Sequence, residues 1–360
     1  MAEALRLAAK GRGRTSPNPM VGAVVVARGR VVGRGYHRRA GGPHAEVFAL
    51  RQAGVRARGA TLYVTLEPCC HRKKRTPPCV PAVVTSGIRR VVVGMPDPNP
   101  SVSGRGIAAL RRAGLAVTVG CRREEAERLN DSYAYRMQKG FPLVILKAAT
   151  TLDGKITTAS GASRWITGKP ARLDAHRLRS EVDAILVGIG TVLKDDPRLT
   201  VRLPGVKSRQ PLRVILDSRL RLPLSARILS AERGRGVVVM TTAEAPRARI
   251  ARLQRRGVSV LVLPAAAGRV PMRRALQALA RVGVNSLLIE GGADVNASAL
   301  CSGLVNRLVW YVAPHVLGGR NALSVIGGSA LNRLAEKIVL TDMQVRRVGR
   351  DLRFDVRIQP

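Results

Sequence analysis

Acidic residues are in short supply in this chain: 23 Asp and Glu stand against 62 Lys and Arg, a formal net charge of +39. Lysine is scarce as well, since 52 of those 62 bases are arginine. Such an imbalance invites a nucleic-acid partner. A third shortage argues against it: aromatics make up 3%, too few for the stacking platforms that single strands favour. The bases are also spread along the whole chain, with only short clusters such as Arg72-Lys73-Lys74-Arg75. The expectation is nonspecific, salt-sensitive sticking to polyanions and a preference for phosphorylated substrates, with no specific nucleic acid. No uninterrupted apolar run reaches the ~18 residues of a membrane span, so no membrane partner is expected. Cysteine is present five times, at 69, 70, 79, 121 and 301. An odd count with three crowded together is a poor disulfide framework and a better metal cluster, which points to the reducing cytoplasm. Met1 to Lys10 is Ala/Leu/Arg-rich like a transit peptide. It runs straight into Ser16-Pro17-Asn18-Pro19 and a strand, so it reads as a first helix.

What is there is ample for two cores. A length of 360 residues with 46% hydrophobic content suggests two domains. Val21–Val26 and Arg30–Gly33 read as a hairpin over Arg28-Gly29. Further strands fall at 60–65, 90–94 and 116–119, with helices at 44–53, 81–86, 107–113 and 124–139. Gly140-Phe141-Pro142 breaks the chain, giving domains 1–141 and 142–360. Beyond it, strands at 143–149, 184–188, 212–216, 236–240, 258–263, 285–289 and 307–313 alternate with helices near 170–181, 245–256, 271–282 and 293–302. The end, 335–358, is strand-like. Strands separated by single helices imply α/β layers with parallel pairing.

The sharpest constellation lies in the first part. His44-Ala45-Glu46 opens a helix; Glu67-Pro68-Cys69-Cys70 and Thr76-Pro77-Pro78-Cys79 follow. One His and two Cys supply three ligands for a single zinc ion and leave a fourth corner for water, as a catalytic site requires. A structural zinc site completed by His71, or unliganded buried cysteines, are the bland alternatives. Glu46 is placed to shuttle protons from water to a ring nitrogen and a departing amine, the pattern of zinc nucleobase deaminases.

Pro17-Asn18-Pro19-Met20-Val21-Gly22, Gly35-Tyr36-His37, Pro43-His44-Ala45-Glu46, Thr65-Leu66-Glu67-Pro68-Cys69, Thr76-Pro77-Pro78-Cys79, Asp97-Pro98-Asn99-Pro100 and Gly104-Arg105-Gly106 together resemble the deaminase part of the bifunctional riboflavin biosynthesis family. The resemblance runs to the C-terminus and implies a cytidine-deaminase-like three-layer domain followed by a dihydrofolate-reductase-like α/β domain. It implies that Asn18, His37, Arg75, Asp97 and Asn99 line the substrate pocket. One departure stands out. Nine residues separate Cys69 from Cys79 where the family usually has eight, so either the loop bulges or Cys70 takes over as ligand. Cys69 is the expected ligand, because it directly follows Pro68.

The second part carries no Gly-x-Gly-x-x-Gly after a strand, which argues against a Rossmann site. It does carry Val187-Gly188-Ile189-Gly190-Thr191 and Glu290-Gly291-Gly292-Ala293, strand-to-helix glycine turns where backbone N–H groups can approach phosphates. Lys147, Thr151-Leu152-Asp153-Gly154-Lys155, Ser163, Trp165-Ile166-Thr167, Asp195-Asp196-Pro197, Leu199-Thr200, Ile215-Leu216-Asp217-Ser218 and Glu290-Gly291-Gly292 resemble the family's reductase domain. The resemblance implies that NADPH contacts Thr150, Trp165, Thr191, Asp195, Ser218 and the run Gly292, Ala293, Asp294, Val295, Asn296, Ala297 and Ser298. The family's Ala appears here as Thr150. Lys147, Ser163, Arg179, Leu199, Arg202 and Glu290 are implied to hold the substrate, the two arginines suiting its phosphate. Lys147 or Asp153, at the strand end, is the candidate to assist protonation. The expected protein is a deaminase and NADPH-dependent reductase on one chain, assembled as a homo-oligomer. The competing expectation is a nucleic-acid-directed deaminase whose second domain is not a reductase, or a polyanion-binding relic.

Overall fold

The β-branched runs become the strands of two sheets. A computed structural model describes residues 1–70, 76–205, 209–230, 234–328 and 337–359. It divides into two compact units, Met1–Phe141 and Pro142–Pro360. Arg75 and His71 lie outside the described residues.

The first unit runs α1 (Ala2–Ala9), β1 (Gly22–Ala27), β2 (Arg30–Tyr36), α2 (Ala45–Ala53), β3 (Thr61–Leu66), α3 (Cys79–Thr85), β4 (Arg90–Met95), α4 (Arg105–Arg112), β5 (Ala116–Val119), α5 (Arg123–Leu129) and α6 (Asp131–Lys139). Its sheet has the order β2-β1-β3-β4-β5. β1 is antiparallel to β2 and β3, while β3, β4 and β5 are parallel. Positive φ at Arg28 (49°) and Gly29 (77°) closes the hairpin with the twist that two-residue turns need. Val25, Leu62, Val64, Val91, Val93 and Leu110 form the fully buried centre of the core. β2 is built to receive α2: a Cβ on Gly35 would lie 2.1 Å from the Ala45 carbonyl oxygen. Only a glycine there lets the first turn of α2 lie on the sheet.

The single helix expected over 124–139 is two. Asn130 interrupts it at φ −112°. Its side-chain amide accepts from the Met20 N–H at 2.8 Å and donates to the Met20 carbonyl at 2.9 Å. A buried asparagine satisfied by a distant main chain leaves the helix to do so.

The second unit runs β6 (Leu143–Thr151), α7 (Lys169–Glu181), β7 (Ala184–Gly188), α8 (Ile189–Asp195), β8 (Leu212–Leu216), β9 (Val237–Thr241), α9 (Arg247–Arg255), β10 (Ser259–Val262), α10 (Met272–Arg281), β11 (Ser286–Ile289), α11 (Ala293–Cys301), β12 (Arg307–Ala313), β13 (Leu340–Val348) and β14 (Asp351–Ile358). The sheet order is β10-β9-β8-β7-β11-β6-β12-β14-β13. The first seven strands in that order are parallel, and β14 and β13 join antiparallel. Every residue of β7, β9 and β11 is buried, as central parallel strands covered on both faces must be. This accounts for their unbroken apolar runs. The sequence does not predict α8, because two glycines near its start mask the helical pattern. No helix among the described residues is long and apolar enough to cross a membrane.

Candidate active sites

Three short approaches build the first centre. His44 is the N-cap of α2, Cys79 opens α3, and Cys69 lies just beyond β3. His44 Nδ1 stands 3.1 Å from Cys79 Sγ and 3.5 Å from Cys69 Sγ. The three ligand atoms all lie within 4.8 Å of one another. Cys69 Sγ also accepts from the Cys79 N–H at 3.3 Å. Cys70 is not in this group; it is half-buried and packs against the apolar core. The neighbouring Cys69 sulfur, then burial, pushes the Cys79 thiol well above its ordinary range. Two crowded, buried sulfurs and an imidazole resist charge by themselves and suit a soft divalent cation.

Glu46 lies two residues beyond His44, in the first turn of α2, and is 3% exposed. Burial first, then the Cys69 sulfur, raises its carboxyl above the usual carboxylate range. Among the described residues its Oε2 has no hydrogen-bond partner. A buried carboxyl oxygen left unsatisfied beside three ligand atoms fits a bound metal and water, for which a further polar group is otherwise wanting. Thr76, to which the sequence assigns no role, meets His44 Nε2 at 3.1 Å. That contact orients the ring so that Nδ1 faces the sulfurs. Its cue is position alone, three residues before Cys79 and just ahead of Pro77-Pro78.

Around this centre, His37 packs edge-on against His44 with ring centroids 5.4 Å apart. His37 Nδ1 donates to the Pro43 carbonyl at 3.1 Å, so its Nε2 accepts from Asn18 Nδ2 at 3.1 Å. Burial lowers the His37 pKa, keeping that tautomer neutral. Asp97 Oδ1 accepts from the Asn99 N–H at 2.9 Å, folding the Asp-Pro-Asn-Pro turn.

The second centre is a cavity of about 1020 Å³. Lys147, Ser163, Trp165, Arg179, Thr191, Asp195, Leu199, Arg202, Glu290, Gly292, Ala293, Asp294, Val295 and Asn296 line it. Thr150, Ser218, Ala297 and Ser298 are not in that lining. Thr150 is buried and accepts from Trp310 Nε1 at 2.9 Å; Ser218 Oγ accepts from the Val270 N–H at 3.0 Å. The floor is charged. Arg179 donates from Nε and Nη2 to both oxygens of Glu290, each at 2.7 Å. Burial alone would raise Glu290, but the charge and hydrogen bonds of Arg179 and the charge of Lys147 hold it down to about 2. Burial pulls Lys147 below its ordinary value against the attraction of Glu290. His176, to which sequence reasoning gives no part, also lines the cavity, one helical turn before Arg179 on α7. Its Nδ1 accepts from the Arg202 N–H at 3.2 Å, and burial with the Arg179 and Arg202 charges pulls it down to about 4. The rim carries backbone strain: Asp196 (φ 40°) and Leu199 (φ 49°) are left-handed without being glycine.

The glycine turns form a cradle. A Cβ on Gly291 or on Gly188 would lie 2.6 Å from the Val295 side chain, while one on Gly190 would meet nothing. Asn296 Oδ1 is buried there without a partner among the described residues. These features fit a nucleotide laid against the start of α11. Asp153 takes a different part. Its carboxylate accepts from Thr151 Oγ1 (2.6 Å) and from the Leu317 (3.2 Å) and Gly318 (2.8 Å) N–H groups. These hydrogen bonds, Thr151 first, depress its pKa to about 2. So held, the carboxylate latches the loop after β6 to Leu317 and Gly318.

Fold and sites thus define a two-centre enzyme, an imidazole–thiol metal hydrolase joined to an α/β unit with a wide charged cavity. Residues 1–95 match the cytidine and deoxycytidylate deaminase zinc-binding region, and residues 142–354 match the RibD C-terminal domain. The chain is 46% identical over 349 residues to the riboflavin biosynthesis protein RibD of Aquifex aeolicus, covering 97% of this chain and 95% of that one. A solved structure of Acinetobacter baumannii RibD superposes with a TM-score of 0.92 at 40% identity, covering 100% of this chain and 98% of that one. A deaminase/reductase structure from Thermotoga maritima gives 0.87 at 37% identity, with 100% and 97% covered. The chain belongs to the RibD family of riboflavin biosynthesis proteins and is a bifunctional deaminase and reductase. The RibD C-terminal domain over residues 142–354 overturns the alternative of a nucleic-acid-directed deaminase with a non-reductase second domain.

Proposed function

We propose that the first unit removes an amino group hydrolytically from diaminohydroxyphosphoribosylaminopyrimidine. The second then uses NADPH to reduce the ribosyl group of 5-amino-6-(5-phosphoribosylamino)uracil to ribityl. The Thermotoga maritima relative is described by these two activities. The carrying observation is the convergence of His44, Cys69 and Cys79 within 4.8 Å beside a buried Glu46.

His44, Cys69 and Cys79 would hold one zinc per chain, which supplies Lewis acidity that brings the pKa of water toward neutrality. Glu46 takes one proton from the attacking water and gives it to the ring nitrogen, then takes the remaining hydroxyl proton and gives it to the amine, which leaves as ammonia as the C–N bond breaks. Its raised pKa suits both halves of that relay. Neutral His37 and Asn18 bind one side of the pyrimidine, and Asp97 and Asn99 another, with Arg75 as a further contact. In the second unit Trp165, Thr191, Asp195 and Gly292 to Asn296 would hold the dinucleotide, which supplies the hydride. By the family resemblance Thr150, Ser218, Ala297 and Ser298 would contact it as well. Ser163, Leu199 and Arg202 orient the sugar phosphate. Arg179 acts through Glu290, since two of its nitrogens are already committed there. Lys147, its pKa lowered by burial, is the proton source at the opened sugar. We place the protein in the cytoplasm as a homo-oligomer, which sedimentation of the purified chain checks.

Product analysis of wild type and Glu46→Ala tests the assignment. The variant is expected to lose deamination and still consume NADPH with supplied deaminated substrate. Retained deamination would overturn the role of Glu46; lost reduction would overturn the division of labour.

A further inference from the structure

Glu67 stands two residues before Cys69, is 3% exposed, and has no part in the chemistry above. Main-chain N–H groups fill both its oxygens. Oε2 accepts from Asp97 at 3.1 Å and Gly104 at 2.9 Å; Oε1 accepts from Gly106 at 2.8 Å and Ile107 at 3.1 Å. Four donors match the lone-pair sites of one carboxylate.

The donors come from both ends of one loop. Asp97 opens it after β4, and Gly104 to Ile107 close it at the start of α4. The N-cap of α4 is Gly104, which has no side chain to offer. Glu67 satisfies those first N–H groups from the end of β3 instead. The approach is close: a Cβ on Gly106 would lie 2.0 Å from the Pro68 carbonyl oxygen. Strand end, metal ligand and loop are therefore one tightly fitted piece.

Asp97 is held a second way. The Tyr133 hydroxyl, on α6, donates to Asp97 Oδ1 at 3.0 Å. Tyr133 is buried, and Asp97 itself is 6% exposed. One buried group thus fixes the main chain of Asp97 and another its carboxylate.

We propose that Glu67 and Tyr133 are positioning residues of the deaminase centre, setting Asp97 and Asn99 in a fixed place relative to Cys69. The inference rests on the reading that Asp97 contacts the pyrimidine substrate. It gives the long loop after β4 a definite role, because one carboxylate couples the substrate wall to the metal-ligand strand.

The test uses the full, zinc-loaded chain and compares Tyr133→Phe, Glu67→Gln, Asp97→Ala and the Tyr133→Phe/Asp97→Ala pair. KM and kcat for deamination are read alongside zinc content and the reductase rate. Tyr133→Phe removes one oxygen and keeps the ring, so it tests the idea even if Glu67→Gln fails to fold. A hydrogen bond to a charged group is worth roughly a factor of ten or more, so KM should rise about tenfold in Tyr133→Phe. Its kcat should stay within about threefold, with zinc and reduction unchanged. In the Asp97→Ala background the Tyr133→Phe effect should vanish, which a merely structural role would not produce. Additive effects in the pair, or an unchanged KM in Tyr133→Phe while Asp97→Ala raises it, would overturn the positioning role alone. An unchanged KM in Asp97→Ala would remove the substrate reading, and the inference with it.

Discussion

At the deaminase centre the three ligand atoms lie within 4.8 Å of one another and come from one run of chain between His44 and Cys79. At the reductase centre a cavity of about 1020 Å³ is walled by residues as far apart in sequence as Lys147 and Val325. The first is a small buried cluster of soft donors with one orphaned carboxyl oxygen. The second is a wide bed whose floor is an ion pair, Arg179–Glu290, with side chains 15% and 9% exposed. Hydrolysis of a ring needs one activated water and one proton relay, and a compact motif suffices. Hydride transfer needs two large molecules held face to face, so its site must gather strand ends across a sheet.

If the compact centre depends on a single metal, losing one ligand should empty it. Cys69→Ala is expected to lose zinc and to cut deamination by about a thousandfold or more, while Cys70→Ala keeps both; metal analysis and ammonia release check this. Equal losses in the two variants would break the contrast between ligand and core cysteine. The wide centre should fail through its charge. Glu290→Gln strands Arg179 and should cost about 3 kcal/mol, with reduction lost, as measured by denaturant unfolding and NADPH consumption. The pH dependence has a definite sign. Glu290 is held down to about 2 from an ordinary 4.5, so its stabilising contribution is complete above pH 4.5 and is lost as pH falls through about 2. Unfolding curves of wild type and Glu290→Gln should therefore converge on acidification. Thr76→Val, which removes the hydroxyl that meets His44 Nε2, should weaken zinc affinity by about 10- to 100-fold in a chelator competition. The smallest effect is expected at Asp153. Asp153→Asn should change single-turnover hydride transfer by less than about twofold, while Lys147→Ala slows it strongly. The reverse ranking would make the loop latch the acid.

The same contrast governs what the sequence could reveal. His44, Glu46, Cys69 and Cys79 are legible because helix starts and a strand end place neighbours in the chain beside one another. The parallel strands of the second unit are legible as well, since full burial leaves unbroken apolar runs. Contacts between distant segments leave no local mark. Asn130 breaks a helix to serve Met20, 110 residues away in sequence. Glu67 looks like part of a metal motif and in fact ties down a loop that starts 30 residues later. Thr150 and Ser218 carry a cofactor role by resemblance alone; what the fold adds is that their hydroxyls accept from Trp310 and from the Val270 main chain.

Anomalous diffraction at the zinc edge from crystals of the full chain shows which side chains hold the metal. One peak per chain is expected, about 2.0 to 2.3 Å from His44 Nδ1 and the sulfurs of Cys69 and Cys79, with Cys70 outside bonding distance. A peak shared with Cys70, or one with four protein ligands, would contradict that expectation.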